Sequence, residues 1–170
     1  MKTVFLTLLG LVCAAQEPPT ELEPSQITGD WRSILTAADN KEKIEQGGPL
    51  RVYIHRLECT DKCSSVAIKF YIKFQDACLL LNAVAERDGE VYHTGYMGAN
   101  FFELIPMSDN TLAIYSENVD GVKTTKVTQL LAKGDGVTQE EIQQYEELNK
   151  ERGIPTENTE DLTETDDCPQ

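Results

Sequence analysis

Val66-Ala67-Ile68-Lys69-Phe70-Tyr71-Ile72-Lys73 has a side-chain period of two. Val66, Ile68, Phe70 and Ile72 share one face and the two lysines lie on the other, the pattern of a half-buried β-strand. Similar runs occur at 30–37, 50–58, 77–86, 90–97, 100–105, 111–118 and 122–132, so the chain holds eight strand candidates. The connections are short. Asp88-Gly89 and Asp120-Gly121 suit tight hairpins that need a positive φ, and Pro106 to Asn110 makes a slightly longer turn. Only the stretch from 38 to 49 is long, ending in Gly47-Gly48-Pro49. Hairpin-linked strands at this spacing predict an up-and-down antiparallel barrel or a sandwich.

One helix is expected after the strands. Thr138 precedes Glu141 by three residues, which makes a capping box, and Ile142, Tyr145 and Leu148 form an apolar stripe. Gly153 and Pro155 then stop the helix, which would lie against the outside of the strands. At the other end, Lys2 precedes an apolar run from Val4 to Val12 and the small residues Cys13-Ala14-Ala15. This is a signal-peptide pattern, too short to span a bilayer. Residues 1–15 are therefore expected to be cleaved, leaving 16–170 as one secreted, extracellular domain without membrane insertion. Residues 16–28, with Pro18, Pro19 and Pro24, read as an irregular lead-in.

The formal net charge is −14, and from Asp135 onward twelve acids face only Lys150 and Arg152. A nucleic-acid partner would need a basic footprint, so none is expected. With Cys13 removed, Cys59, Cys63, Cys78 and Cys168 remain, an even set in an oxidising compartment that allows three pairings. No metal and no cofactor are expected, since secreted cysteines oxidise and no Gly-rich phosphate loop occurs. Catalytic groupings are missing too. His55, His93, Glu103 and Glu117 fall on outward parity, and Ser116 has no inward histidine beside it. The chain does not read as an enzyme.

Gly29-Asp30-Trp31, at the start of the first strand, resembles the Gly-x-Trp signature of lipocalins. The resemblance implies an eight-stranded up-and-down barrel with one C-terminal helix packed outside. It further implies that Trp31 plugs the closed end beneath a basic residue, here Lys133, stacked as a cation–π pair. Cys59-x-x-x-Cys63 is similar to the odorant-binding and aphrodisin-like pheromone carriers, and the whole chain resembles dander-allergen lipocalins of the bovine type. The usual Thr-Asp-Tyr signature near the seventh strand is absent, which places the chain in a divergent subgroup. The resemblance implies the disulfides Cys59–Cys63 and Cys78–Cys168. Parity agrees with the second. If Leu79, Leu81, Ala83 and Ala85 face inward, Cys78 faces outward, where a tail following the external helix reaches it.

Parity also yields an inward set: Val52, Ile54, Val66, Ile68, Phe70, Ala83, Ala85, Thr94, Tyr96, Phe102, Leu104, Ile114, Ser116, Val127 and Gln129. The same row would pack a solid core in a bare sandwich. The mixture of small and large residues, together with the family resemblance, points instead to a cavity for one small hydrophobic ligand. Tyr96, Ser116 and Gln129 are the candidates for orienting it. Arg56 falls on inward parity unless a bulge before Cys59 turns it out at the rim. The expected role is a secreted carrier of odorants or pheromones, as a monomer or weak homodimer. The alternative is a lipocalin scaffold that works mainly through protein–protein contacts, as an inhibitor or defence protein does.

Overall fold

The alternating runs become strands of one antiparallel sheet in a computed structural model that describes residues 22–134, 136–164 and 168. The leader expected over 1–15 lies outside the described residues. A one-turn helix α1 (Pro24–Ile27) leads into β1 (Gly29–Asp30) and β2 (Arg32–Ala38). There follow β3 (Tyr53–Thr60), β4 (Ser65–Phe74), β5 (Ala77–Asp88), β6 (Val91–Gly95) and β7 (Ala99–Ser108). Then come β8 (Thr111–Val119), β9 (Thr124–Ala132), helix α2 (Gln139–Glu151) and a short β10 (Thr159–Asp161).

From β3 to β9 each strand pairs with the next. β1 and β2 are the two halves of the first expected strand, parted at Trp31. β1 pairs with β3 (Gly29↔Leu57) and β2 pairs with β9 (Arg32↔Ala132), so the first strand joins both ends of the meander. The Trp31 N–H donates to His55 O at 3.0 Å across this seam. β10 adds to the outer edge of β2 (Thr159↔Ala37), which explains ten strands where eight were expected.

Two local expectations change. Pro24, at the start of α1, has a fixed φ suited to a first helical turn, so the lead-in is partly helical. Pro106 lies inside β7, not in a turn. β6 pairs with β7 only as far as Phe102, so beyond it one edge of β7 has no β6 partner and can accept a residue that lacks an N–H.

The closed end is built around Trp31, which is 2 % exposed and donates from Nε1 to Ile27 O at 2.7 Å. Lys133 Nζ lies 4.8 Å from the Trp31 ring centre and donates to Thr28 O at 3.1 Å. Gly29 is needed beside it. Its φ is +149°, and a Cβ there would stand 2.9 Å from Lys133 Cε. Nearby, Asp61, Lys62 and Cys63 all have left-handed φ, a costly run for residues with a Cβ. The Cys59–Cys63 disulfide spans this turn, and the Tyr92 hydroxyl donates to Cys63 O within it.

Helix α2 begins with the expected capping box: Glu141 N donates to Thr138 Oγ1 and Thr138 N donates to Glu141 Oε1. Its deepest side chains are Tyr145 and Asn149, whereas Ile142 and Leu148 are only half-buried. Tyr145 packs with Ala37, Tyr115, Leu130 and Ile154 outside the barrel, and Thr128 Oγ1 donates to its hydroxyl at 3.0 Å. Burial pushes the Tyr145 phenol far above its usual pKa. Cys78 joins Cys168, tying the end of the chain to the outer face of β5.

Candidate functional site

The inward faces of the strands enclose a cavity of about 120 Å³. β3 and β4 line it with Ile54, Ile68 and Phe70, preceded by Val52, and β5 contributes Ala83. Thr94 and Tyr96 line it at the end of β6, followed by Phe102 and Leu104 of β7. Ile114 and Ser116 of β8 and Val127 and Gln129 of β9 complete the wall. Thirteen of the fifteen inward residues read from parity therefore meet in one space.

Val66 and Ala85 do not line it. They are cross-strand partners, both wholly buried in the packed layer around Cys63 and Tyr92 toward the closed end. Alternation assigns a residue to a face but not to a height along the barrel, and these two lie below the cavity floor.

Four lining residues escaped the sequence reading: Leu50, Leu57, Asn100 and Asn118. Leu57 turns inward because the β3–β4 register shifts between Ile54 and Arg56. The same bulge turns Arg56 outward, where it pairs with Asp30 at 2.9 Å. Leu50 continues the alternation of Val52 and Ile54, but the strand expected from 50 begins only at Tyr53, so Leu50 belongs to the long 39–52 segment. That segment folds across the open end, where Ile44 and Leu50 pack on Ala38, Val127 and Tyr96. The two asparagines look like surface residues until Gly98 is considered. It has φ +115°, and a Cβ would fall 2.4 Å from Val119 O, so only glycine lets the 96–98 turn close down on β8. Asn118 Nδ2 then reaches Met97 O at 3.2 Å and Asn100 Oδ1 at 2.9 Å, and Asn100 Nδ2 donates to Tyr96 O at 2.7 Å.

The three expected polar anchors are committed to the protein itself. The Tyr96 hydroxyl donates to Pro49 O at 2.9 Å, latching the covering segment, and burial raises its pKa. Ser116 Oγ donates to Val127 O at 3.2 Å, and Gln129 Nε2 donates to Val52 O at 3.0 Å. Gln129 Oε1 accepts from Ser33 Oγ at 3.2 Å. Leaving such donors unmade would cost about 1–3 kcal/mol each, so they are satisfied within the barrel wall.

His55 is half-buried, edge-on to Tyr71 at 5.8 Å, and His93 is exposed, so neither reaches the cavity. Glu103 faces outward and meets Arg152 at 3.2 Å. Among the described residues, no three His, Cys, Asp or Glu are placed to hold a metal ion. Nor is any described helix long and apolar enough to cross a membrane.

Residues 28–166 match the Lipocalin / cytosolic fatty-acid binding protein family. The chain belongs to the lipocalin family. This lipocalin is 55 % identical to allergen Bos d 2 of Bos taurus over 171 residues, 99 % of each chain. It is 34 % identical to an odorant-binding protein of Rattus norvegicus, covering 98 % of this chain and 97 % of that one. The solved structure of the bovine lipocalin allergen Bos d 2 superposes with a TM-score of 0.83 at 51 % identity, covering 88 % of this chain and all of that one. As a lipocalin with an allergen and an odorant-binding protein as relatives, it is a binding protein and not an enzyme.

Proposed function

We propose that this lipocalin is a secreted carrier of one small, neutral, mostly hydrocarbon ligand of the odorant or pheromone class. The observation that carries this reading is the cavity, walled mainly by aliphatic and aromatic side chains and covered by the 39–52 segment. At roughly 10–15 Å³ per water-sized group, 120 Å³ admits on the order of ten non-hydrogen atoms. Burying ~10 carbons at about 0.8 kcal/mol each gives roughly 8 kcal/mol before entropic costs. That corresponds to micromolar binding at best, which suits a carrier that must release its cargo. Its odorant-binding relative supports the ligand class, and the leader pattern together with two disulfides supports secretion.

The test is displacement of an environment-sensitive apolar dye by medium-chain alcohols, aldehydes and pyrazines. Phe102→Ala, which removes an apolar wall, should weaken binding more than Ser116→Ala, whose hydroxyl serves the wall itself. If folded, delipidated protein takes up no dye, the carrier reading fails.

A further inference from the structure

β5 keeps its β4 neighbour far longer than its β6 neighbour. Pairing with β4 runs from Ser65↔Glu86 to Phe74↔Ala77, whereas pairing with β6 stops at Glu86↔His93. At the parting, the Thr94 hydroxyl donates to Val84 O at 3.0 Å, a side chain standing where a main-chain partner would be. Beyond it the β4–β5 hairpin continues past β6. The parting opens the cavity wall. Ala83 and Thr94 flank it, line the cavity and are half-exposed, whereas Val127 and Gln129 of β9, across the barrel, are buried.

Residues directly opposite each other in neighbouring strands share a face. Phe70 lines the cavity, so its partner Leu81 and the next pairs on that face, Ile72↔Leu79 and Phe74↔Ala77, continue the inner surface outward. Every residue of this row is apolar. At about 3.3 Å per residue, it carries the cavity wall roughly 13 Å beyond Phe70. Exposure climbs along it. Leu81 and Ile72 are half-buried, Leu79 is 41 % exposed and Phe74 55 %. An apolar row that begins inside an apolar cavity and ends in water is surface whose covering by hydrocarbon is favourable.

We propose that the inner face of the β4–β5 hairpin is a groove for the part of a long-chain ligand that the cavity cannot hold. The methyl end of the chain fills the cavity, and the rest leaves between β5 and the 96–98 turn along Leu81, Ile72 and Leu79. The polar end then stays in water, where it loses no hydration. Continuity of the row with the cavity wall names one occupant, an unbranched hydrocarbon chain, and the row carries no charge to repel it. This inference rests on the carrier reading and extends the ligand class from molecules the cavity holds whole to chains that exceed it.

The experiment is dye displacement by 1-octanol, 1-decanol, 1-dodecanol and 1-tetradecanol in the full disulfide-bonded protein. A cavity acting alone would bind 1-decanol best and reject longer chains. With the groove, affinity should keep rising to 1-tetradecanol by roughly twofold per added carbon, about half the free-energy gain of a fully buried methylene. Leu79→Gln, on the inner face, should weaken 1-tetradecanol roughly fivefold and leave 1-octanol unchanged. Leu80→Gln, on the outer face of the same strand and 47 % exposed, should change neither. If Leu79→Gln does not fold, the wild-type chain-length series decides alone. Tightest binding at 1-decanol, or equal effects of the two substitutions on 1-tetradecanol, would overturn the groove and leave the carrier reading intact. Sedimentation at the assay concentration addresses the other occupant. A dimer that Leu79→Gln dissolves, with 1-tetradecanol bound no tighter than 1-decanol, would give the row to a second copy and overturn the groove. Failure of every alcohol to displace the dye would overturn both readings.

Discussion

Arg51 Nη1 lies 3.1 Å from Glu160 Oε1, and the Arg51 side chain is only 4 % exposed. The guanidinium also donates to Tyr53 Oη and to Ile44 O, both at 2.8 Å. A buried cation thus ties the segment over the cavity to the last strand of the chain. Lys43 adds a second tie, to Asp120 in the β8–β9 turn at 3.1 Å.

Glu160→Gln should therefore act on stability and on ligand exchange together. It leaves the guanidinium buried with one charged partner fewer, at a cost of about 1–3 kcal/mol. Denaturant unfolding should show the loss, and stopped-flow dye release should be faster than in wild type. Unchanged release with lowered stability would mean the covering segment does not control exit.

Trp31, Lys133 and Gly29 should behave as one unit. Lys133→Met removes the cation from the indole and should cost about 1 kcal/mol. Gly29→Ala brings a Cβ against Lys133 Cε and imposes a disfavoured φ, so it should cost more. Part of that cost comes from displacing Lys133. In the double variant the two losses should sum to less than their separate values, as read from urea midpoints. Full additivity would show that the glycine serves the backbone alone.

Acid should loosen the helix start and the β8–β9 turn. The Glu141 carboxyl is held down to about 2 by the Thr111 hydroxyl beside it and by hydrogen bonds from the Thr138 N–H and the Ser108 hydroxyl. Asp120 is also lowered to about 2, by the N–H groups of Lys123 and Val122 and by Lys43. Both folded values lie below the ordinary ones, so the stabilisation is complete above about pH 4.5 and is lost as pH falls toward 2. Urea midpoints should decline across that window. Glu141→Gln should lower the midpoint at neutral pH and flatten the decline.

The two disulfides should differ in weight. Cys78–Cys168 spans 90 residues and Cys59–Cys63 only 4, so chain entropy assigns about 4–5 kcal/mol to the first and roughly 2 to the second. Cys78→Ser with Cys168→Ser should lower the unfolding midpoint more than Cys59→Ser with Cys63→Ser. The short bridge also confines the left-handed turn from Asp61 to Cys63, so its removal should speed proteolysis there first.

Much of this molecule could be read from short-range pattern. Period-two runs marked the barrel strands, Thr138 and Glu141 marked the start of α2, and alternation selected thirteen residues that meet in the cavity. These features depend on neighbours a few positions away, where backbone geometry alone dictates direction. The tertiary structure decided what depends on partners far along the chain. The shift between Ile54 and Arg56, where β3 pairs with β4, exchanged Arg56 for Leu57 at the cavity wall. The stagger of β4 and β5 sank Val66 and Ala85 below its floor. The approach of the 96–98 turn to β8 buried Asn118, and the return of β10 to β2 gave Arg51 its carboxylate. Alternation gives each side chain a face. Its height, and the partner that makes a buried polar group affordable, follow only from how the strands are staggered around the closed barrel.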